Sequence, residues 1–198
     1  YMYCDGRSEL AVGMALKDRW REKVKHSTKL PLDEVKKPDD MKRLLEIQLK
    51  KLDTDSIDFY HFHALSSQTF HELILPMKLI DLAEKFKSEG VIHHLSFSFH
   101  DAHPETIVEI LDTQAFSSVL CQFNLLDRSN LVGIRHAAEL GMGVVVMGPV
   151  GGGRLAFKGG VFENALGGKI STPELAIRFV LSTPGISCAL SGMGTREM

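Results

Sequence analysis

The chain has 198 residues, of which 44% are hydrophobic and 24% charged, a balance typical of a globular protein with one sizeable core. Its formal net charge of -2 at pH 7, without any basic run, argues against nucleic acid or an anionic membrane surface as a partner. The cysteines lie far apart and no apolar run reaches the ~18 residues of a membrane span, so we expect a cytoplasmic protein without disulfides.

The predicted elements alternate between helices and short strands. A first helix begins near Ser8, after a tight turn at Gly6. Later helices are predicted over 38–52, 77–89, 103–113, 129–140 and 172–183. Strands are predicted over 24–28, 56–63, 92–99, 117–123, 143–148 and 186–192. This alternation is typical of βα units that build a parallel sheet.

Two folds repeat such units, the closed barrel and the doubly wound sheet. A dinucleotide-binding doubly wound sheet has its glycine-rich turn after the first strand, whereas the glycine cluster of this chain, at 148–153, follows the fifth. Most strands also end in a polar residue, as in a barrel whose strand ends share one mouth. We therefore predict an α/β fold, a (β/α)8 TIM barrel that is incomplete in this chain, with its first strands and last helix missing. Residues 1–198 are predicted to form a single domain.

Three polar side chains at element boundaries are candidates for chemistry. Tyr3 precedes the first helix, and Lys29 and His63 each end a strand, so a barrel would bring them together. An ammonium group beside a phenol stabilises the phenolate, a pairing that suits a general acid. A solvated lysine and a structural histidine are the ordinary alternatives, and Lys29 could also act as a Schiff-base nucleophile. The histidines show no metal-ligand spacing, so no metal site is predicted.

The motifs resemble those of one family. In order and spacing, the chain is similar throughout its length to the aldo-keto reductases, through the segments YCDGRSELAVGMALK, HSTK, DTDSIDFYHFH, HHLSFSFHD, CQFNLLD, VVVMGPVGGG, STPELAIRFVLSTPG and LSGMGTREM. SFSFHD resembles the branch whose members often carry a C-terminal iron–sulfur tail, and the clustered cysteines of such a tail are not in this chain.

The resemblance implies a barrel that binds NADPH without a Rossmann domain and reduces an aldehyde or ketone. It makes Tyr3 the proton donor, Lys29 the lysine beside it and His63 the histidine that orients the substrate carbonyl. The family's catalytic aspartate would fall before the first residue of this chain. Phe99 replaces the asparagine common after Ser98 in the family, although the Ser-Phe-His form is usual in the iron–sulfur branch.

The resemblance also implies a set of cofactor contacts. Ser98 and Gln122 match the residues that hydrogen-bond the nicotinamide carboxamide, and Met147 takes the place of an aromatic ring under the nicotinamide. The segment near the pyrophosphate includes Gly148, Pro149, Val150, Gly151 and Gly153. The segment near the adenosine 2′-phosphate includes Gly192, Gly194 and Thr195.

Three functions remain open from the sequence. The leading prediction is an NADPH-dependent carbonyl reductase, with hydride from nicotinamide C4, a proton from Tyr3 and NADH as the alternative cofactor. The second is a low-turnover NADPH-sensing or regulatory subunit on the same barrel, and the third is an aldolase that uses Lys29. The predicted partner is a small-molecule carbonyl compound; the sequence predicts neither its identity nor the oligomeric state.

Overall fold

The computed structural model of the chain describes residues 1–157, 160–190 and 192, and these residues form two compact units. The first unit comprises Tyr1–Asp101 and Thr113–Ser117, and the second comprises Ala102–Asp112 and the described residues from Ser118 onward. Each unit carries its own parallel strand pairs. A single domain over 1–198 stays a prediction.

The first unit contains three parallel strands and five helices. The strands are β1 (Ser27–Leu30), β2 (Ile57–Leu65) and β3 (Ile92–Phe99). The helices are α1 (Ser8–Ala15), α2 (Trp20–Lys23), α3 (Pro38–Leu52), α4 (Ser67–Thr69) and α5 (Leu79–Ser88), with a 3-10 turn at Leu32–Glu34 and a π turn at Phe70–Ile74. β2 lies between β1 and β3. His61 of β2 pairs with Lys29 of β1, and Tyr60 of β2 pairs with Leu95 of β3.

Helix α3 shows why these elements form where the sequence predicts them. Pro38 stands in its first turn, where a missing N–H costs nothing, and the Asp40 carboxylate accepts the N–H groups of Lys36 and Lys37, both at 3.0 Å. The helix ends at Leu52, and Asp53 caps it in a left-handed conformation with φ 54°. Its apolar face is buried through Met41, Leu44, Leu45 and Leu52.

The second unit contains three parallel strands and four helices among its described residues. The strands are β4 (Ser118–Gln122), β5 (Gly143–Met147) and β6 (Cys188–Ala189). The helices are α6 (Ile107–Asp112), which follows a 3-10 turn at Pro104–Thr106, α7 (Leu131–Glu139), α8 (Val161–Ala165) and α9 (Thr172–Ser182). The register places Gln122 opposite Met147, and Val145 opposite Cys188.

Several boundaries differ from the sequence prediction. Strand β2 continues to Leu65, so His63 lies within the strand and does not end it. Strand β1 begins at Ser27 rather than at residue 24, because Lys25 Nζ and the His26 N–H bind the Asp58 carboxylate at 3.0 and 3.1 Å. Helix α1 begins at Ser8, as predicted, and Arg7 holds its N-cap position. The short helices α2, α4 and α8 were not predicted. None of the helices in the described ranges is long and apolar enough to cross a membrane.

Candidate active site

Tyr3, Lys29 and His63 meet in the first unit. Tyr3 Oη lies 3.1 Å from His63 Nε2, and Lys29 Nζ lies 5.0 Å from the centroid of the Tyr3 ring. Tyr3 is 49% exposed, so a small molecule can reach this residue. The structure therefore brings a phenol, an ammonium group and an imidazole from three separate segments to one place.

Local structure explains how each group arrives there. Tyr3 is delivered by a turn in which Cys4, Asp5 and Gly6 all take positive φ, at 53°, 55° and 76°. Lys29 opposes His61 in the β1–β2 ladder. His63 follows His61 by two residues, where the β2–β3 ladder shifts register between Phe62 and Leu65.

A buried polar network lies behind Lys29. Gln48, in α3, is fully buried and its amide nitrogen donates to the Lys29 carbonyl and to Glu9 Oε1, both at 2.8 Å. Its amide oxygen accepts from the Tyr60 hydroxyl at 2.7 Å, and Glu9 accepts from the Thr28 hydroxyl at 2.7 Å. The network links α1, β1, α3 and β2, so it fixes the strand segment that carries Lys29.

The histidines around Lys29 are held in their neutral form. Burial and then the positive charge of Lys29 lower the pKa of His63, with a further contribution from His100. The same two causes lower the pKa of His61 to about 4 and also lower that of His100. At neutral pH, His63 therefore contacts Tyr3 as an uncharged imidazole that can donate one hydrogen bond and accept another.

Ser98 is nearly completely buried at the end of β3. Its hydroxyl oxygen accepts the N–H of Ala64 at 2.8 Å, and a hydroxyl that accepts one hydrogen bond can still donate its own proton. Ala64 has a φ of 52° and directly follows His63. Ser98 thus also fixes the backbone next to His63, a role that the sequence analysis did not predict.

Gln122, Met147 and the glycine segment lie together in the second unit. Gln122 opposes Met147 in the β4–β5 ladder, and its amide nitrogen donates to Asp127 Oδ2 at 2.8 Å. An ideal Cβ built on Gly148 would lie 3.8 Å from the Gln122 side chain. The amide of Gln122 is therefore adjacent to the start of the glycine segment.

The glycine segment forms a tight turn after β5. Gly148, Gly151 and Gly153 have φ values of 63°, 60° and 94°, which side chains of other residues rarely allow. The N–H groups of Gly151 and Gly153 donate to the carbonyls of Gly148 and Val150 within the turn. Pro149, which follows Gly148, is buried.

The remaining predicted residues are only partly described. Gly192 is exposed, and no heavy atom of another described residue lies within 4 Å of the position its Cβ would take. Gly194 and Thr195 lie outside the described residues. Among the residues that are described, no cluster of histidine, cysteine and carboxylate side chains could hold a metal ion.

The sequence analysis missed Glu9, Gln48 and Asp127. The signal for Gln48 was present, because one glutamine stands on the apolar face of α3 beside Leu44, Leu45 and Leu52. A polar residue on a buried face usually has a polar partner. Asp127 had no comparable signal, since an aspartate after a strand is ordinary in a loop.

Comparisons with known proteins agree on one family. The model of the Aldo/keto reductase family matches residues 1–198. A curated relative, "Probable aldo-keto reductase 1" of Glycine max, is 30% identical over 175 residues, which cover 82% of this chain and 47% of the relative. This chain therefore spans about half the length of that relative.

Solved structures give the same fold. An aldo-keto reductase from Bacillus halodurans, in its holo form, superposes with a TM-score of 0.77 at 27% identity, covering 94% of this chain and 67% of that chain. An aldo/keto reductase from Klebsiella pneumoniae in complex with NADP and acetate matches with a TM-score of 0.76 at 23% identity, covering 96% and 67%. These matches confirm the predicted (β/α)8 barrel fold, of which this chain carries a part.

Proposed function

Because the chain belongs to the aldo/keto reductase family, a family of NAD(P)H-dependent oxidoreductases, we propose that it reduces an aldehyde or ketone with NADPH. The observation that carries the proposal is the meeting of Tyr3, Lys29 and His63, with a 3.1 Å contact between the phenol and the imidazole. A phenol beside an ammonium group and a neutral imidazole can give a proton to an oxygen that becomes an alkoxide.

The chain offers groups that fit a dinucleotide in each of its units. In the first unit, the Ser98 hydroxyl, which accepts from the Ala64 N–H, is of a type that can donate to a carbonyl oxygen. In the second unit, Gln122 presents an amide beside the open backbone of Gly148. When bound, NADPH supplies the hydride, which goes to the carbonyl carbon of the substrate. We propose NADPH rather than NADH from the family resemblance.

The protein side of the reaction is proton transfer and orientation. Tyr3 Oη donates its proton to the substrate oxygen as negative charge develops there, and Lys29 stabilises the phenolate that remains. His63, neutral because of burial and of Lys29, donates a second hydrogen bond to the same oxygen. Both donors lie within 3.1 Å of one another, so a single oxygen atom can contact both.

The test compares Tyr3→Phe with the unmodified protein. The loss of NADPH absorbance is followed with a panel of aldehydes and ketones, and we expect kcat to fall about 100-fold or more, the usual contribution of a general acid. Tyr1→Phe is the matched control, because Tyr1 also stacks on a lysine, with Lys51 Nζ 4.7 Å from its ring centroid, but does not contact His63 in any hydrogen bond of the described structure.

Other outcomes separate the alternatives. Tight NADPH binding without carbonyl-dependent oxidation would contradict the proposal and favour a sensing or regulatory subunit. Borohydride trapping of a carbonyl compound on Lys29 would contradict it in favour of an aldolase. Equal kcat values for Tyr3→Phe and Tyr1→Phe would refute the assigned role of Tyr3.

A further inference from the structure

We propose that Asp127 is a positioning residue that holds the Gln122 amide with its oxygen toward the nicotinamide, and so makes the protein select a carboxamide on the pyridine ring. The inference rests on the proposed function, because it needs a bound nicotinamide dinucleotide. It goes beyond that function by naming Asp127 as the residue that orients the Gln122 amide and so sets the preference for a carboxamide.

The orientation of the amide follows from the chemistry of its partner. Gln122 is an exposed residue at the end of β4, where a side-chain amide could otherwise rotate freely. Asp127 Oδ2 lies 2.8 Å from Gln122 Nε2. An ionised carboxylate only accepts hydrogen bonds, so the NH₂ group of the amide must face it. The amide oxygen, Oε1, then points away from Asp127.

Asp127 is itself fixed before any ligand arrives. Its other oxygen, Oδ1, accepts from the Ser129 hydroxyl at 2.6 Å and from the Ser129 N–H at 3.1 Å. Its own N–H donates to Asn124 Oδ1 at 3.0 Å, and the buried Asn124 donates from Nδ2 to the Gly148 carbonyl at 2.9 Å. The hydrogen bonds from Ser129 also lower the pKa of Asp127, so the carboxylate stays charged at neutral pH.

The amide oxygen belongs to an exposed side chain beside Gly148. Both Oε1 and Cγ of Gln122 lie 3.8 Å from the position that a Cβ would take on Gly148. Because residue 148 is glycine, no side chain occupies that position, and Gln122 itself is exposed. A nicotinamide carboxamide carries an NH₂ donor, and Oε1 is the acceptor that matches it. A pyridine ring with a methyl ketone in place of the carboxamide has no such donor.

The test measures a ratio of affinities. Isothermal titration calorimetry gives the Kd of NADPH and of its reduced 3-acetylpyridine analogue for the unmodified protein and for Asp127→Ala. A neutral hydrogen bond corresponds to roughly a fivefold difference in Kd, so we expect the preference for NADPH to fall by roughly fivefold in the variant. The lost negative charge of Asp127 affects both dinucleotides alike and cancels in the ratio.

Two variants separate orientation from general damage. In a Gln122→Leu background the acceptor is gone, so Asp127→Ala should leave the ratio unchanged. Asp112→Ala is the matched control, since it removes a carboxylate of the same unit that pairs with His136 at 2.6 Å, and it should keep the preference of the unmodified protein.

The possible failures are distinguishable. If the unmodified protein binds neither dinucleotide, the proposed function is wrong and this inference is overturned with it. If the unmodified protein prefers NADPH and Asp127→Ala keeps the full preference, this inference alone is overturned. A reduced preference in Asp127→Ala that persists undiminished in the Gln122→Leu background would also overturn it, because the effect would then not pass through the amide.

Discussion

Replacing Gln48 with leucine should destabilise the protein by about 3 kcal/mol. Leucine has a similar size and can pack among the apolar residues of α3, so little cavity is expected. The amide, however, makes three hydrogen bonds at 2.7–2.8 Å, to Glu9, to the Lys29 carbonyl and from the Tyr60 hydroxyl, and its side chain is fully buried. Each such bond contributes about 1 kcal/mol net, which gives the total.

The assay is urea unfolding of the unmodified protein and of Gln48→Leu. A total stability of about 5–15 kcal/mol would leave the variant folded in water. Gln68→Leu is the matched control, because Gln68 is exposed and bonds only Glu72 among the described residues, and it should change the free energy of unfolding by less than about 0.5 kcal/mol.

A double-mutant cycle tests the cause of the loss. Tyr60 donates to Gln48, so in a Tyr60→Phe background the Gln48→Leu change should cost about 1 kcal/mol less than it does alone. A Gln48→Leu loss below about 1 kcal/mol, or a loss that is the same in both backgrounds, would refute the network as a source of stability.

Two further predictions concern charge near Lys29. Lys29→Met should raise the pKa values of His61 and His63 toward their ordinary values without restoring them fully, since burial is the larger cause, and NMR titration of the imidazole signals measures this. Unchanged values would contradict the electrostatic coupling. His61 takes up a proton near pH 6.5 when unfolded but only near pH 4 when folded, so its contribution to stability is full above pH 6.5 and falls as the pH drops toward 4. His61→Gln should therefore make the free energy of unfolding depend less on pH between 4 and 6.5. Urea unfolding at several pH values measures this dependence. If the variant and the unmodified protein show the same dependence, the reasoning is wrong.

Much of the fold could be predicted because apolar runs of strand length are strong signals. β3 has the predicted bounds, since nearly all of its residues are buried and nothing at its ends competes with the ladder. β1 starts later because Lys25 and His26 bind Asp58, which lies far away in sequence. The helix α8 was missed because it is short and begins directly after Gly160.

The candidate site was predictable only in part. Tyr3, Lys29 and His63 could be predicted to meet because each lies near the boundary of an element, although Lys29 and His63 lie within their strands and do not end them. Gln48 and Asp127 act through other residues, one from within a helix and one across a turn. Such contacts depend on side-chain directions in three dimensions, and hydrophobic periodicity carries no information about them.

The ion pairs of Asp58 affect the position of His63, which lies further along the same strand, β2. Asp58 is almost fully buried near the start of β2, where Arg21 Nη2 and Lys25 Nζ hold its carboxylate at 2.9 and 3.0 Å. Sliding the strand by one residue would withdraw the carboxylate from these cations and send every side chain to the opposite face. Phe62 or Ala64 would then stand where His63 now meets Tyr3. The ion pairs of Asp58 therefore fix the register of β2. In this way they keep His63, further along the same strand, in position beside Tyr3.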